Sequence, residues 1–143
     1  MPETYEGGCQ CGAVRYRIVG PPKLLSVCHC KECQRQSGSA FGMGLFMPRE
    51  QFVLLRGTLK SFTRSSDSGR PVVCSFCPEC GNRIIHEPSR APGMVNVRVG
   101  TIDDTSWLTP SLQAWTASKQ KWLELDIAPA FQTQPERPEE PRR

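Results

Sequence analysis

The sequence predicts a mainly β protein whose small core is held together by bound metal. Glycine and proline make up 25 of the 143 residues, which favours short strands and many turns over long helices. Short segments that alternate apolar and polar residues are separated by turn signals. Such a fold needs cross-links, because a small turn-rich chain buries little apolar surface by itself, and the eight cysteines can supply them.

The strands are predicted from this alternation. The first covers residues 13–19, where apolar and polar residues alternate until the Gly-Pro-Pro sequence at 20–22 ends the pattern. Turn signals then separate six further short segments that have the same character. These segments are residues 41–47, 52–55, 59–63, 71–76, 83–86 and 94–99.

Helices contribute little to the predicted fold. One short helix is expected at residues 31–36, ended by Gly38, and a second at 118–123. We assign residues 1–131 to a single zinc-binding domain, since domains most often contain about 100–150 residues. Residues 132–143 are polar and rich in proline, and we expect them to form a mobile tail.

Composition narrows the class of protein. The N-terminal residues do not have the pattern of a signal peptide, and no window is apolar enough to span a membrane. We therefore expect a cytoplasmic protein whose reduced cysteines bind metal, whereas four disulfides would be the interpretation for a secreted chain. The formal charge of +4 falls to about +1 when seven thiolates and two Zn²⁺ ions are counted. This charge argues against a nucleic-acid partner.

Residues 77–81, Cys-Pro-Glu-Cys-Gly, have the form of a zinc knuckle. A C-x-x-C turn directs two thiolates at one metal, and Gly81 lets the backbone turn back so that amide groups reach the sulfurs. Cys9 and Cys11 are candidates for the remaining ligands, because glycines also flank that loop. The alternative is a redox dithiol, which is disfavoured because no βαβ pattern surrounds the motif.

A second cluster contains Cys28, Cys30 and Cys33 within six residues. Three thiolates leave one position of a tetrahedral metal open, as in catalytic zinc sites. Because these thiolates make the centre a weak Lewis acid, it suits binding and activating a thiol or small polar ligand better than making hydroxide. The alternative is a purely structural site in which Cys74 or His29 supplies the fourth ligand.

Other side chains near this cluster have less specific signals. His29 lies between two ligands, so its side chain is expected to point away from the metal and to contact a ligand or the pocket. Ser37 ends the predicted helix, where its hydroxyl is available to an anion, although a simple helix end explains it equally well. His29 and Ser37 are candidate donors to an oxyanion, on position alone. Cys74 is expected to be a buried free thiol and His86 a hydrogen-bonded structural histidine.

Together, these motifs resemble those of the glutathione-dependent formaldehyde-activating enzyme family, also called the GFA or centromere protein V type domain. The likeness spans about residues 5 to 131, in order. The matching segments are residues 7–16, 28–39, 76–81, 99–104 and 122–125.

The resemblance implies an Mss4-like, zinc-stabilised fold of two small packed antiparallel sheets with one or two short helices. It also implies a structural zinc, whose ligands would be Cys9, Cys11, Cys77 and Cys80. A second, catalytic zinc would be bound by Cys28, Cys30 and Cys33. The family's reaction joins glutathione and formaldehyde to give S-(hydroxymethyl)glutathione and is classed as a carbon–sulfur lyase reaction. The expected partners are therefore a small thiol and a small aldehyde. The alternative is a non-catalytic zinc module that binds a protein or a thiol ligand.

Overall fold

The computed structural model describes residues 3–66 and 68–135. Within these ranges the chain forms ten strands and one α-helix. In chain order they are β1 (Thr4–Gly8), β2 (Arg15–Val19), β3 (Leu24–Cys28), α1 (Lys31–Ser37), β4 (Gly42–Pro48), β5 (Phe52–Arg56), β6 (Lys60–Arg64), β7 (Val72–Phe76), β8 (Arg83–Pro88), β9 (Met94–Arg98) and β10 (Leu112–Ala114). Single 3₁₀ turns occupy Arg49–Gln51, Val99–Thr101 and Thr116–Ser118.

The strands form two sheets. The smaller sheet has the order β1-β2-β5, and the larger has the order β10-β3-β4-β9-β8-β7-β6. Their pairings are antiparallel except that β10 runs parallel to β3. The predicted mainly β fold of two sheets is therefore confirmed, with the difference that the larger sheet has seven strands and is mixed.

One apolar cluster contains side chains from both sheets. Tyr16 and Ile18 of β2 are fully buried in it, together with Met47 of β4 and Val95 and Val97 of β9. Each such side chain contributes about 1.5–3 kcal/mol when it leaves water. The Tyr16 hydroxyl is satisfied in this core, where its oxygen lies 2.7 Å from Thr101 Oγ1.

Three strands were not predicted, namely β1, β3 and β10. In β3 the three central residues are all buried, so the apolar–polar alternation that reveals a half-exposed strand is missing. Strand β1 has the sequence Thr-Tyr-Glu-Gly-Gly, and Gly7 lies so close to Tyr16 that a Cβ there would stand 2.4 Å from its hydroxyl oxygen. Close packing, rather than β propensity, explains this strand.

The helix α1 confirms the prediction for residues 31–36, extended by one residue. Cys30 is its N-cap, and Gly38 ends it in the left-handed conformation with φ 62°. The predicted helix at 118–123 is wrong. That segment contains a turn closed by a 3.1 Å bond from Leu123 N to Gln120 O, and residues 123–127 have no regular secondary structure.

The described part of the C-terminal segment lies beside β10. Backbone bonds join Trp115 N to Thr133 O at 3.3 Å and Ala117 N to Gln132 O at 3.2 Å. The rest of the predicted tail, residues 136–143, lies outside the described residues. No helix among the described residues is both long enough and apolar enough to cross a membrane.

Candidate functional site

The first cysteine cluster brings two distant loops together. The sulfurs of Cys9, Cys11, Cys77 and Cys80 all lie within 4.8 Å of one another. The Sγ–Sγ distance is 3.6 Å between Cys9 and Cys11 and 3.7 Å between Cys11 and Cys77. Four sulfurs bound at about 2.3 Å around one zinc would lie about 3.8 Å apart, so the spacing fits a tetrahedral ion. These four cysteines could hold one metal.

Backbone geometry explains how these loops reach each other. Gly12 and Gly81 have φ values of 80° and 77°, a conformation that costs glycine little but strains other residues. The turns expose amide groups, and the Val14 amide donates to Cys9 Sγ at 3.2 Å. Burial acts to raise the pKa of Cys9, but hydrogen bonds from Val14 and from neighbouring thiols outweigh it and lower the value to about 6.

The second cluster, called here the cysteine triad, contains Cys28, Cys30 and Cys33. Cys28 is the last residue of β3, Cys30 caps α1, and Cys33 lies in the first turn of that helix. Their sulfurs lie within 4.8 Å of one another, and the Cys33 amide donates to Cys30 Sγ at 3.3 Å. Among the described residues, no fourth cysteine, histidine or carboxylate joins this group. The triad could therefore hold a metal and leave it one open position.

The triad sulfurs interact strongly even without an ion. Hydrogen bonds from Cys28 and Cys33 lower the pKa of Cys30 to about 2, while bonds to Cys30 and Cys33 raise the pKa of Cys28 above its usual range. These opposite shifts arise because three thiolates so close together repel one another. A divalent cation would remove this conflict, because it stabilises all three thiolates at once.

The triad opens into a cavity of about 830 Å³. All three triad cysteines line this cavity, whereas none of the cysteines in the four-cysteine cluster does. The floor is the face of the larger sheet that points away from the core. There Gly42 and Gly44 of β4 lie beside Asn96 and Arg98 of β9, while the residues between them face the apolar cluster.

The cavity wall is basic. Of the described residues that line it, none is acidic, and five carry a positive charge: Lys23, Arg64, Arg70, Arg90 and Arg98. Arg64 Nε is buried and has no hydrogen-bond partner within the described part of the chain. A buried donor of this kind favours an acceptor supplied by a ligand. The wall therefore suits an anionic molecule.

The structure does not bring the two candidate donors into this cavity. His29 is fully buried, its Nε2 lies 2.8 Å from Gln113 Oε1, and it is not among the residues that line the cavity. Ser37 is exposed, and its hydroxyl donates to Gln34 O at 3.4 Å. Cys74 is fully buried outside both cysteine clusters, with its sulfur 3.8 Å from Val72 O.

Two cavity residues were not identified as site residues from the sequence. His86 is 3% exposed, and its Nε2 accepts from Arg83 Nη1 at 3.2 Å. Arg98 is 8% exposed on β9. Burial lowers the pKa of Arg98, and negative charge on Cys33 and Cys28 acts in the opposite direction. The sequence signal that could have identified Arg98 is the alternation in Val95-Asn-Val-Arg98, which places the polar residues of a strand on the face opposite the valines.

Comparisons with known proteins agree with this architecture. The chain is 20% identical to a solved structure, described as a Rhodobacter sphaeroides protein, with a TM-score of 0.53. That match covers 73% of this chain and 91% of the other, and at this identity it supports the fold alone.

Curated relatives are similarly distant. The chain is 26% identical over 126 residues to a Halomonas elongata protein provisionally named a glutathione-dependent formaldehyde-activating enzyme, covering 85% of this chain and 80% of that protein. A Colletotrichum graminicola protein with the same provisional name is 26% identical over 123 residues. The match covers 80% of this chain and 63% of the fungal protein.

The model of one family matches most of the chain. It describes the glutathione-dependent formaldehyde-activating enzyme family and aligns with residues 4–118, which include both cysteine clusters and all ten described strands. On this match the chain belongs to the glutathione-dependent formaldehyde-activating enzyme family.

Proposed function

We propose that this protein is a zinc-dependent enzyme of the carbon–sulfur lyase type that acts on a thiol adduct. The adduct would be S-(hydroxymethyl)glutathione, which forms from glutathione and formaldehyde. The observation that carries the proposal is the position of the cysteine triad, whose three sulfurs converge at the wall of an 830 Å³ cavity. A metal held there would be accessible to a small molecule.

The two clusters take different roles in this proposal. Cys9, Cys11, Cys77 and Cys80 would surround a structural zinc, because four sulfurs complete a tetrahedron and none of them lines the cavity. This ion would join the loop after β1 to the loop after β7, two segments that lie far apart in sequence. Its contribution is to folding, since metal binding stabilises the folded state directly.

Cys28, Cys30 and Cys33 would hold the second zinc. When bound, this zinc supplies an open position for the substrate thiol and lowers the thiol pKa from about 8.5. The protein supplies the surroundings. The cavity gives the ligand room, and its basic wall attracts a thiol that bears carboxylates, as glutathione does. The amide of Cys33 holds Cys30 Sγ in place.

The experiment follows the exchange between free formaldehyde and its glutathione adduct by magnetisation-transfer NMR. Exchange in the zinc-loaded wild type should exceed the uncatalysed rate, which is subtracted. Cys30→Ser should reduce the excess at least tenfold, because it removes one of three ligands of the open site. Cys74→Ser is the matched control, since that thiol lies outside both clusters. Equal excess rates in the wild type and Cys30→Ser would refute the proposal.

A further inference from the structure

Arg98 occupies an unusual position for a guanidinium. It is the last residue of β9, lines the cavity and is 8% exposed. Arginine is rarely buried to this extent unless it is paired with an anion. Within the described part of the chain, its side chain makes one hydrogen bond, from Nη1 to Asn96 Oδ1 at 2.9 Å. That neutral partner fixes the direction of the guanidinium and leaves its other donors available.

Two glycines on the neighbouring strand make room for this arrangement. A Cβ on Gly42 would lie 2.5 Å from Arg98 Nη2, and a Cβ on Gly44 would lie 1.9 Å from Asn96 Oδ1. The side chains of Asn96 and Arg98 therefore extend across β4 in the space that side chains on those glycines would fill. This path leads the guanidinium toward the triad.

The position that a Cβ on Gly42 would occupy also shows how near Arg98 lies to the triad. The Cβ position is 3.4 Å from Cys33 Sγ and 3.2 Å from Cys33 Cβ. The guanidinium and the Cys33 side chain therefore pack against one backbone position. A substrate sulfur beside the triad would have its first carbon, and any oxygen on that carbon, close to Arg98.

We propose that Arg98 is a catalytic residue that donates hydrogen bonds to the oxygen of the carbonyl group undergoing thiol addition. This inference rests on the proposed function. In the forward step the thiolate sulfur forms a bond to the carbonyl carbon, the C=O π bond breaks, and its electron pair moves to oxygen. Arg98 stabilises that oxyanion until it takes a proton from water. The reverse reaction loses this proton and breaks the C–S bond.

Arg98 fits this role better than the donors suggested by sequence position. His29 is directed to Gln113, and Ser37 is directed to a helix carbonyl outside the cavity. A donor that is already fixed before reaction is effective, because it needs no rearrangement when charge develops. Asn96 provides that fixation here. The permanent positive charge of the Arg98 guanidinium also offsets part of the negative charge of the three triad thiolates and the substrate thiolate.

Kinetic measurements on variants test the assignment. Arg98→Gln should lower kcat for adduct exchange about 100-fold, as expected for loss of one oxyanion donor, with a much smaller change in KM. Arg98→Lys should restore part of kcat, because it keeps the charge. Arg49→Gln is the control, since Arg49 pairs with Glu87 outside the cavity. A kcat for Arg98→Gln equal to that of the control would overturn the proposal.

A binding measurement separates this role from a structural one. Thioacetate and ethanethiol have the same two-carbon skeleton, but thioacetate carries a carbonyl oxygen on the carbon next to sulfur, at the position of the proposed oxyanion, and is the stronger acid. The measured quantity is therefore the change in their affinity ratio between the wild type and each variant at one pH. Calorimetry on the zinc-loaded wild type should show a preference for thioacetate. That preference should fall about tenfold or more in Arg98→Gln, in line with the strength of a charged hydrogen bond.

Gly42→Ala provides a second variant that keeps Arg98 in the sequence but displaces its guanidinium. It should reduce the thioacetate preference in the same direction, whereas Gly100→Ala should not, because a Cβ there meets nothing within 4 Å. If wild type binds neither thiol, the proposed function fails and Arg98 loses its role with it. If both thiols bind and no variant changes their ratio, the proposed function stands and the assignment of Arg98 is wrong.

Discussion

His29 and Gln113 are joined by a buried 2.8 Å hydrogen bond between Nε2 and Oε1, although 84 residues separate them in the sequence. An amide oxygen can only accept, so the proton lies on His29 Nε2. The Gln113 amide nitrogen donates in turn to Leu125 O and Ile127 O, both at 3.0 Å. One side chain therefore links the segment beside the triad to the irregular C-terminal segment that contains Leu125 and Ile127.

Removing this connection should destabilise the protein. Gln113→Ala leaves the His29 donor and two carbonyl oxygens without their partner, and each unsatisfied buried group costs about 1–3 kcal/mol. Allowing for relaxation, we expect a loss of about 3 kcal/mol in the free energy of unfolding, measured by urea denaturation. Gln132→Ala, at an exposed position, is the control and should change it little. A loss below about 1 kcal/mol would contradict the buried-network assignment.

Loss of the metal from the four-cysteine cluster should strongly lower the stability of the folded protein. Cys77→Ser removes a fully buried sulfur from this cluster, so the zinc content should fall from two to one per chain. Because structural zinc sites in small domains contribute on the order of 10 kcal/mol, the variant should unfold far below the melting temperature of the wild type. Cys74→Ser should keep both ions. Unchanged melting and zinc content in Cys77→Ser would contradict the assignment.

Mild chelation should empty the two clusters in order. The triad has three sulfurs and opens to the cavity, whereas the four-cysteine cluster has four sulfurs and does not line the cavity. A chelator should therefore remove one zinc per chain first and abolish the excess of formaldehyde exchange over the uncatalysed rate, while the circular dichroism spectrum is retained. Zinc released during titration can be counted with a colorimetric indicator. Simultaneous release of both ions, or activity that survives loss of the first, would count against this order.

His86 should make stability depend on pH. Burial, followed by the charges of Arg98, Arg83 and Arg64, lowers the pKa of His86 to about 2 from 6.5. Below pH 6.5 the unfolded chain therefore binds a proton that the folded chain does not, and stability falls as pH decreases. Between pH 6.5 and 5.5 the expected loss is about 1 kcal/mol.

Urea midpoints measured across this range test the effect. The His86→Gln variant should show a shallower dependence on pH than the wild type, with zinc content measured at each point so that loss of metal is recognised. Identical slopes for the two proteins would show that His86 gains its proton in the folded state as readily as in the unfolded one.

The metal clusters were largely predictable because their information is local. A C-x-x-C turn, a following glycine with positive φ and the Cys30 cap of α1 are encoded within a few residues. The assignment of Cys74 to neither cluster also agreed with the expectation of a buried thiol. Strand β3 was missed because burial on both faces removes the alternation on which strand prediction depends.

By itself, the sequence determined the mainly β character, the single helix next to the triad and the identity of the seven cysteines that form the two clusters. The tertiary structure alone decided which side chains share the cavity with the triad. The Arg98 guanidinium and the Cys33 side chain lie on either side of Gly42 because β9 pairs with β4 and because Gly42 has no side chain. Such a juxtaposition depends on pairing between distant strands, and short-range sequence patterns do not encode it.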